Sequence, residues 1–172
     1  MARSKPPRKR YRPGPVLVNA NARAMNAVTK LTPDEIVQAQ GPLDEALAIL
    51  EACDGQADHW AIVVDAMNVA EALAAERICS DEASRQAITE AQRALSRLHK
   101  QHAVLGSWVL WDEDREALHA GVDLHRLQLS LCDYAEYRRA IDGVIRRMQA
   151  ARAGSVAPGT TILTNPDEAL HA

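Results

Sequence analysis

Apolar residues recur along this chain mainly at intervals of three and four, the period of a helix rather than of a strand. The clearest run lies between Ile88 and Leu105, where Ile88, Ala91, Leu95, Leu98, His102 and Leu105 fall on one stripe. Arg85, Glu90, Arg93, Arg97 and Lys100 occupy the other side, which therefore faces water. A helix of this kind cannot bury its stripe alone, so the pattern predicts a bundle assembled around it.

The neighbouring segments supply the partners. Thr32, Pro33 and Glu35 form a helix-start signal: a capping hydroxyl, a proline suited to the first turn, and an acid able to reach back to the cap. The pattern continues through Ile36 and Val37 to Gly41–Pro42, a pair expected to end or kink the helix. A further segment, Leu43 to Cys53, brings Leu43, Ala46, Leu47 and Leu50 together before an Asp54–Gly55 turn. From Asp58 to about Ile78, two apolar faces are predicted. Trp60, Val63, Val64, Met67, Ala70 and Ala74 form one, and Ile62, Ala66, Val69 and Leu73 form the other. Two such faces place a helix in the middle of a bundle.

Ser80 and Asp81 offer caps to the helix carrying the opening stripe, and Leu105–Gly106–Ser107 ends it. Trp108–Trp111 reads as an extended connector plugging one end of the bundle. Asp112, Glu113 and Asp114 put negative charge in the first turn of the next helix, where the macrodipole favours it. That helix, to about Leu131, also shows two faces: Leu118, Val122, His125 and Leu129, then Ala120, Leu124, Leu127 and Leu131. Asp133 and Glu136 cap a last helix, in which Tyr134, Tyr137, Ile141, Val144, Ile145 and Met148 are expected to point inward, with Arg139 and Arg146 away. The expected fold is all-α, an antiparallel bundle of about five helices spanning residues 32–152. A basic, Pro-rich arm over residues 1–31 and a loose tail over 153–172 flank it. Within the arm, Ala24, Ala27, Val28 and Leu31 share the spacing of a short helix, and Thr160–Thr164 is the longest strand-like run in the chain.

Composition qualifies this core. Hydrophobic residues make up 47% of the 172, but many are alanine, phenylalanine is absent, and only three Trp and three Tyr serve as large aromatic anchors. Each alanine buries little area, so a modestly stable bundle is expected, with self-association as a means of support.

Charge changes the functional picture more. The net charge of −3 conceals a division: Met1–Pro33 holds eight basic residues and no acid, whereas the rest carries 12 basic and 23 acidic residues, a net −11. In the arm, Arg3, Lys5, Arg8, Lys9, Arg10 and Arg12 are spaced to neutralise phosphates, and Tyr11 is placed to stack on a base. Pro6, Pro7, Pro13 and Pro15 bar helix there, so the arm is expected to be disordered or extended when free. Contact with DNA or RNA is the first functional expectation. Docking of a host or phage protein, by the arm or by the acidic body, is the second.

Three cysteines, Cys53, Cys79 and Cys132, lack redox or metal-motif spacing, as expected for buried free thiols in a reducing cytoplasm. The N-terminus lacks the apolar stretch of a secretory signal, and no run reaches the length of a membrane span. No glycine-rich phosphate loop or nucleophile elbow is present, so the reading is non-enzymatic, without cofactor. A metal-binding helical bundle is the third reading, resting on Glu116–x–x–His119 with the His99/His102 pair, for which Glu51, Asp65 or Glu71 would have to supply further ligands. His102 and His125 fall on apolar stripes, as core histidines do. Asp65 and Asn68 are polar positions on a helix expected to be buried.

Met1-Ala2-Arg3 with Lys9-Arg10-Tyr11-Arg12-Pro13-Gly14-Pro15-Val16, followed by an Ala/Leu-rich helical body, resembles short helical accessory proteins of proteobacterial prophages and plasmids. The resemblance covers the basic opening and the general helical pattern. It implies a mobile-element accessory role and transfers no site residues.

Overall fold

The structure, a computed structural model, describes residues 29–153. The described residues form an all-α bundle of five helices: α1 (Pro33–Glu51), α2 (Ala57–Ala75), α3 (Glu82–Leu105), α4 (Asp112–Leu131) and α5 (Tyr134–Arg152). The arm as far as residue 28 and the tail from residue 154, including the Thr160–Thr164 run, lie outside the described residues. Residues 29–32 are not helical, so the helix expected to end at Leu31 does not reach it.

The predicted helix starts are present as chemistry. Thr32 and Glu35 form a reciprocal capping box, as do Asp133 and Glu136, and the Asp81 carboxylate accepts from the Ser84 amide at 2.9 Å. These hydrogen bonds hold the Glu35 and Asp81 carboxyls below their ordinary pKa values. The helix ends differ in kind. Gly106 closes α3 in the left-handed region, at φ 70°. The same role after α1 and α2 falls to Cys53 and Arg77, at φ 58° and 70°. In both cases the two amides that follow the cap turn back to the last carbonyls, Asp54 to Ile49 and Ile78 to Leu73 among them.

The centre of the bundle is α2, which packs against all four other helices. Trp60, Val63, Val64, Met67, Ala70 and Leu73 on it are buried. Contacts at matched ends show that α1, α3 and α5 run antiparallel to α2, and α4 antiparallel to α3. The Trp60 indole donates to the Leu95 carbonyl at 3.0 Å, whereas Ile88 lies near Glu71 and Ala74. The closest pairing between α3 and α4 is made possible by Gly121: a Cβ there would meet Ala91 Cβ at 2.7 Å and Met67 Sδ at 2.8 Å. One core cluster joins α1–α4 with Trp108 and Leu110, and a second gathers Leu31, Leu73, Leu129, Cys132 and Ala140.

Several expectations need correction. Pro42 does not end α1, which continues from Pro33 to Glu51 because Leu43, Ala46, Leu47 and Leu50 are all held in the core beyond it. The α3 stripe is buried at Ile88, Ala91, Leu95 and Leu98, but Leu105 is 59% exposed because the helix outruns its partners. The second face of α4 is not covered: Ala120, Leu127 and Leu131 are exposed. On α5 only Ala140 and Val144 are buried, and Tyr134 and Ile145 face solvent, because α5 has α2 as its main support. Trp108 and Leu110 do plug the bundle's end, while Trp111 is exposed. Of the cysteines only Cys132 is buried; burial pushes its thiol up to about 11, and Cys53 is exposed. No helix of the described residues is long and apolar enough to cross a membrane.

Candidate functional site

The predicted nucleic-acid contacts, Arg3, Lys5, Arg8, Lys9, Arg10, Tyr11 and Arg12, lie outside the described residues. The root of the arm does not. The Thr29 carbonyl accepts from the Tyr134 amide at 3.0 Å, and Lys30 pairs with Asp133 in an isolated antiparallel bridge. The Lys30 ammonium donates to the Leu131 carbonyl, placing a cation on the negative end of the α4 dipole. Leu31 is then buried against Leu73 and Leu129. The chain therefore enters the body at the start of α5.

That entry point matters because charge is unevenly shared among the helices. α1 carries five acidic residues and no basic one, and α2 carries three acidic and no Lys or Arg. α5, in contrast, has five arginines against two acids, and α3 has four basic residues against two acids. Both basic helices lean on α2. Arg139 reaches Glu76 at 3.3 Å, and Arg147 reaches Glu71 at 3.1 Å while donating to the Asn68 carbonyl. Arg138 and Arg146 are exposed on α5.

Between α2 and α3, a cleft of about 640 Å³ runs along the side where Glu71 meets α5's Arg147. Arg77, Ser80 and Arg85 line its mouth side, with Ala74 and Ile88 forming an apolar wall. Gln92 also lines it, with only 9% of its surface exposed and its Nε2 buried without a partner. A second, apolar groove of about 350 Å³ separates α1 from α5 over α2, and His125 of α4 contributes to its lining. Burial lowers the His125 pKa to about 4.

The histidines considered for metal chemistry are used otherwise. His102 stacks on Trp108 with ring centroids 4.0 Å apart and planes 7° from parallel, and His99 sits 5.1 Å from Trp60. His119 Nε2 is 2.7 Å from Glu51 Oε1, so one of the proposed partner acids does reach it, and Arg115 shares that carboxylate at 3.5 Å. Glu116 is exposed. Among the described residues no group of three or more His, Cys, Asp or Glu is arranged to hold a metal ion. Asp65 is exposed rather than buried, while Asn68 is buried.

Besides Gln40, sequence reasoning missed three polar residues that the bundle encloses. Asp114 is 1% exposed and accepts at Oδ1 from both Nε and a terminal nitrogen of Arg97, at 2.8 and 2.5 Å. Gln128 donates from Nε2 to the carbonyls of Ala70 and Ile78, tying α4 to the end of α2. Gln92 is the third. The available signal was a glutamine at stripe spacing: Gln92 falls four after Ile88, and Gln128 three after His125.

No family model, curated protein or solved structure matches this chain.

Proposed function

We propose that this protein is a non-enzymatic accessory protein of a phage or plasmid that binds nucleic acid through its basic arm with little sequence preference. The observation that carries this reading is the division of charge, eight basic residues with no acid as far as Pro33 on a remainder of net −11. The body's contribution is consistent with it. The arm's root is stitched to the start of α5, the helix with five arginines, of which Arg138 and Arg146 are exposed. Lys and Arg neutralise phosphates irrespective of base sequence, and counterion release makes such binding steeply salt-dependent. The mobile-element setting rests on the resemblance of the opening residues. An electrophoretic shift of DNA or RNA at low salt should be lost when residues 1–15 are deleted, a cut that leaves Thr29, Lys30 and Leu31 in place. No shift with either nucleic acid contradicts the reading.

A second reading is favoured by α1, which has five acids and no basic residue; Asp34, Glu35 and Glu45 are exposed, while Asp44 and Glu51 are paired with Arg126 and Arg115 of α4. The exposed acids suit a basic protein partner, as in an inhibitor or interaction module. Affinity purification from the native cell separates the two: a stable protein partner surviving nuclease treatment favours the second.

A further inference from the structure

α1 and α5 both lean on α2 and scarcely meet each other, which leaves the apolar groove of about 350 Å³ between them. Ile141 and Met148 are half-buried along it, and Ile145 is 45% exposed at its edge. Water against apolar walls is unfavourable in proportion to their area, so a cover of apolar side chains is rewarded. The chain reaches the head of this groove. Lys30 pairs antiparallel with Asp133, and the Thr29 carbonyl accepts from the Tyr134 amide. Stepping back from Lys30 to Thr29 therefore moves forward from Asp133 to Tyr134, so at Thr29 the chain is aligned with the first turn of α5. Leu31 is buried against Leu73, Leu129, Cys132 and Ala140, and Ala39, Val69 and Tyr137 border both that cluster and the groove. The seat of Leu31 is thus continuous with the groove.

The residues just before Thr29 have the composition such a cover needs. Residues 1–15 are basic and Pro-rich, but in residues 16–28 nine of 13 are apolar, none is proline, and Arg23 is the one charge. Length permits the fit. From Tyr137 to Met148 the groove follows α5 for about 17 Å at helical rise. A chain of 13 residues spans about 20 Å at helical rise and about 43 Å when extended, so residues 16–28 are long enough to line it. Tethered at Thr29, they meet the groove at an effective concentration on the order of millimolar, without the translational cost that a separate partner bears. A second copy of the chain has no such tether, and this trough alone falls well short of the roughly 800 Å² per partner that a stable dimer buries.

We propose that residues 16–28 seat in the groove between α1 and α5, with Val28 and Met25 entering it next after Leu31. The segment covers the apolar walls and fixes the place from which the basic residues 1–15 leave the body. Seating does not depend on nucleic acid and is expected in its absence.

A photo-crosslinking benzoylphenylalanine placed at Ile145 in the full chain tests this, because Ile145 is exposed at the groove's edge and its replacement leaves the core in place. After irradiation, digestion and mass spectrometry, the expected product is a link within one chain from position 145 to residues 16–28. A link into a second copy, at twice the chain's mass, overturns the proposal in favour of a dimer seam. A link to residues 154–172, or to no residue of the protein, also overturns it. Amide hydrogen exchange gives a readout free of the probe. A carboxylate is costly to bury in an apolar groove, so Met25→Asp with Val28→Asp should unseat the segment. Exchange over Ile141–Met148 should then quicken roughly tenfold or more. The same charges placed outside the segment, by Ala2→Asp with Ser4→Asp, should leave that exchange as in the wild type. No change in the first pair, or an equal change in both, overturns the proposal.

Discussion

At the scale of single residues, the fold depends on positions that composition does not distinguish. Gly121 lies in the middle of α4, where glycine normally costs about 1 kcal/mol relative to alanine. Here the preference reverses, because an added methyl would meet Ala91 Cβ, which is fixed to its backbone and cannot swing aside. Gly121→Ala should therefore destabilise the protein by roughly 1–3 kcal/mol, measured by chemical denaturation, despite alanine's better helix propensity. His125 gives a second residue-level prediction. Its imidazole is neutral in the fold, with a pKa lowered from 6.5 to about 4 by burial, so the unfolded chain binds more protons between those values. Stability should be complete above about pH 6.5 and fall as pH drops toward 4, by about 3 kcal/mol in all. The Glu35 and Asp81 caps, with lowered pKa values, add losses of the same sign at the acidic end. Comparing melting temperatures at pH 7 and 5 in wild type and His125→Gln checks this: the variant should lose most of that drop. The sequence showed His125 on an apolar stripe, and so its burial was legible. The Arg97–Asp114 pair was not, because first-turn acids and outer-face arginines are ordinarily solvated, and nothing local indicates that two of them meet across helices.

At the scale of elements, the helices were legible to within a few residues, since caps and periodicity agree at Thr32, Asp81, Gly106 and Asp133. Their ranking was legible only in part: two apolar faces mark α2 as a middle helix, but the sharper stripe of α3 points to α3 as the centre. α3 has the clearest amphipathic stripe because it lies at the surface, with one wet and one dry side. α2 has a weaker periodicity because it is packed by all four others, yet it is the organising helix. Periodicity reports contrast between faces, not centrality. Leu95 nonetheless sits where α3 meets α2, fully buried, with its carbonyl accepting from Trp60. Leu95→Ala should cost roughly 2–5 kcal/mol, a large share of a modest fold's stability, read as a drop in the denaturation midpoint. The overestimated elements share one cause. Sequence marks Leu127, Leu131 and Ile145 as apolar, but does not say whether a helix lies over them, and among the described residues none does.

At the scale of the molecule, the chain reads as a segregated charge distribution mounted on a helical frame. The acidic helices α1 and α2 and the basic helices α3 and α5 were each written in the sequence, but their grouping depended on which helices lean on α2. The cleft between α2 and α3 was illegible for the same reason: Glu71, Arg77 and Gln92 come to line it together only once α2 and α3 are antiparallel. The most direct test of the functional account is the salt dependence of DNA binding, followed by fluorescence anisotropy of a labelled duplex. Residues 1–15 carry six basic side chains, Arg3, Lys5, Arg8, Lys9, Arg10 and Arg12. At about 0.9 counterions per neutralised phosphate, the logarithm of the binding constant should fall against the logarithm of salt with a slope near −5. Deleting residues 1–15 should abolish measurable binding while leaving the melting temperature unchanged. An unaltered slope and affinity after that deletion, or no binding by the full chain even at about 50 mM salt, would contradict the account.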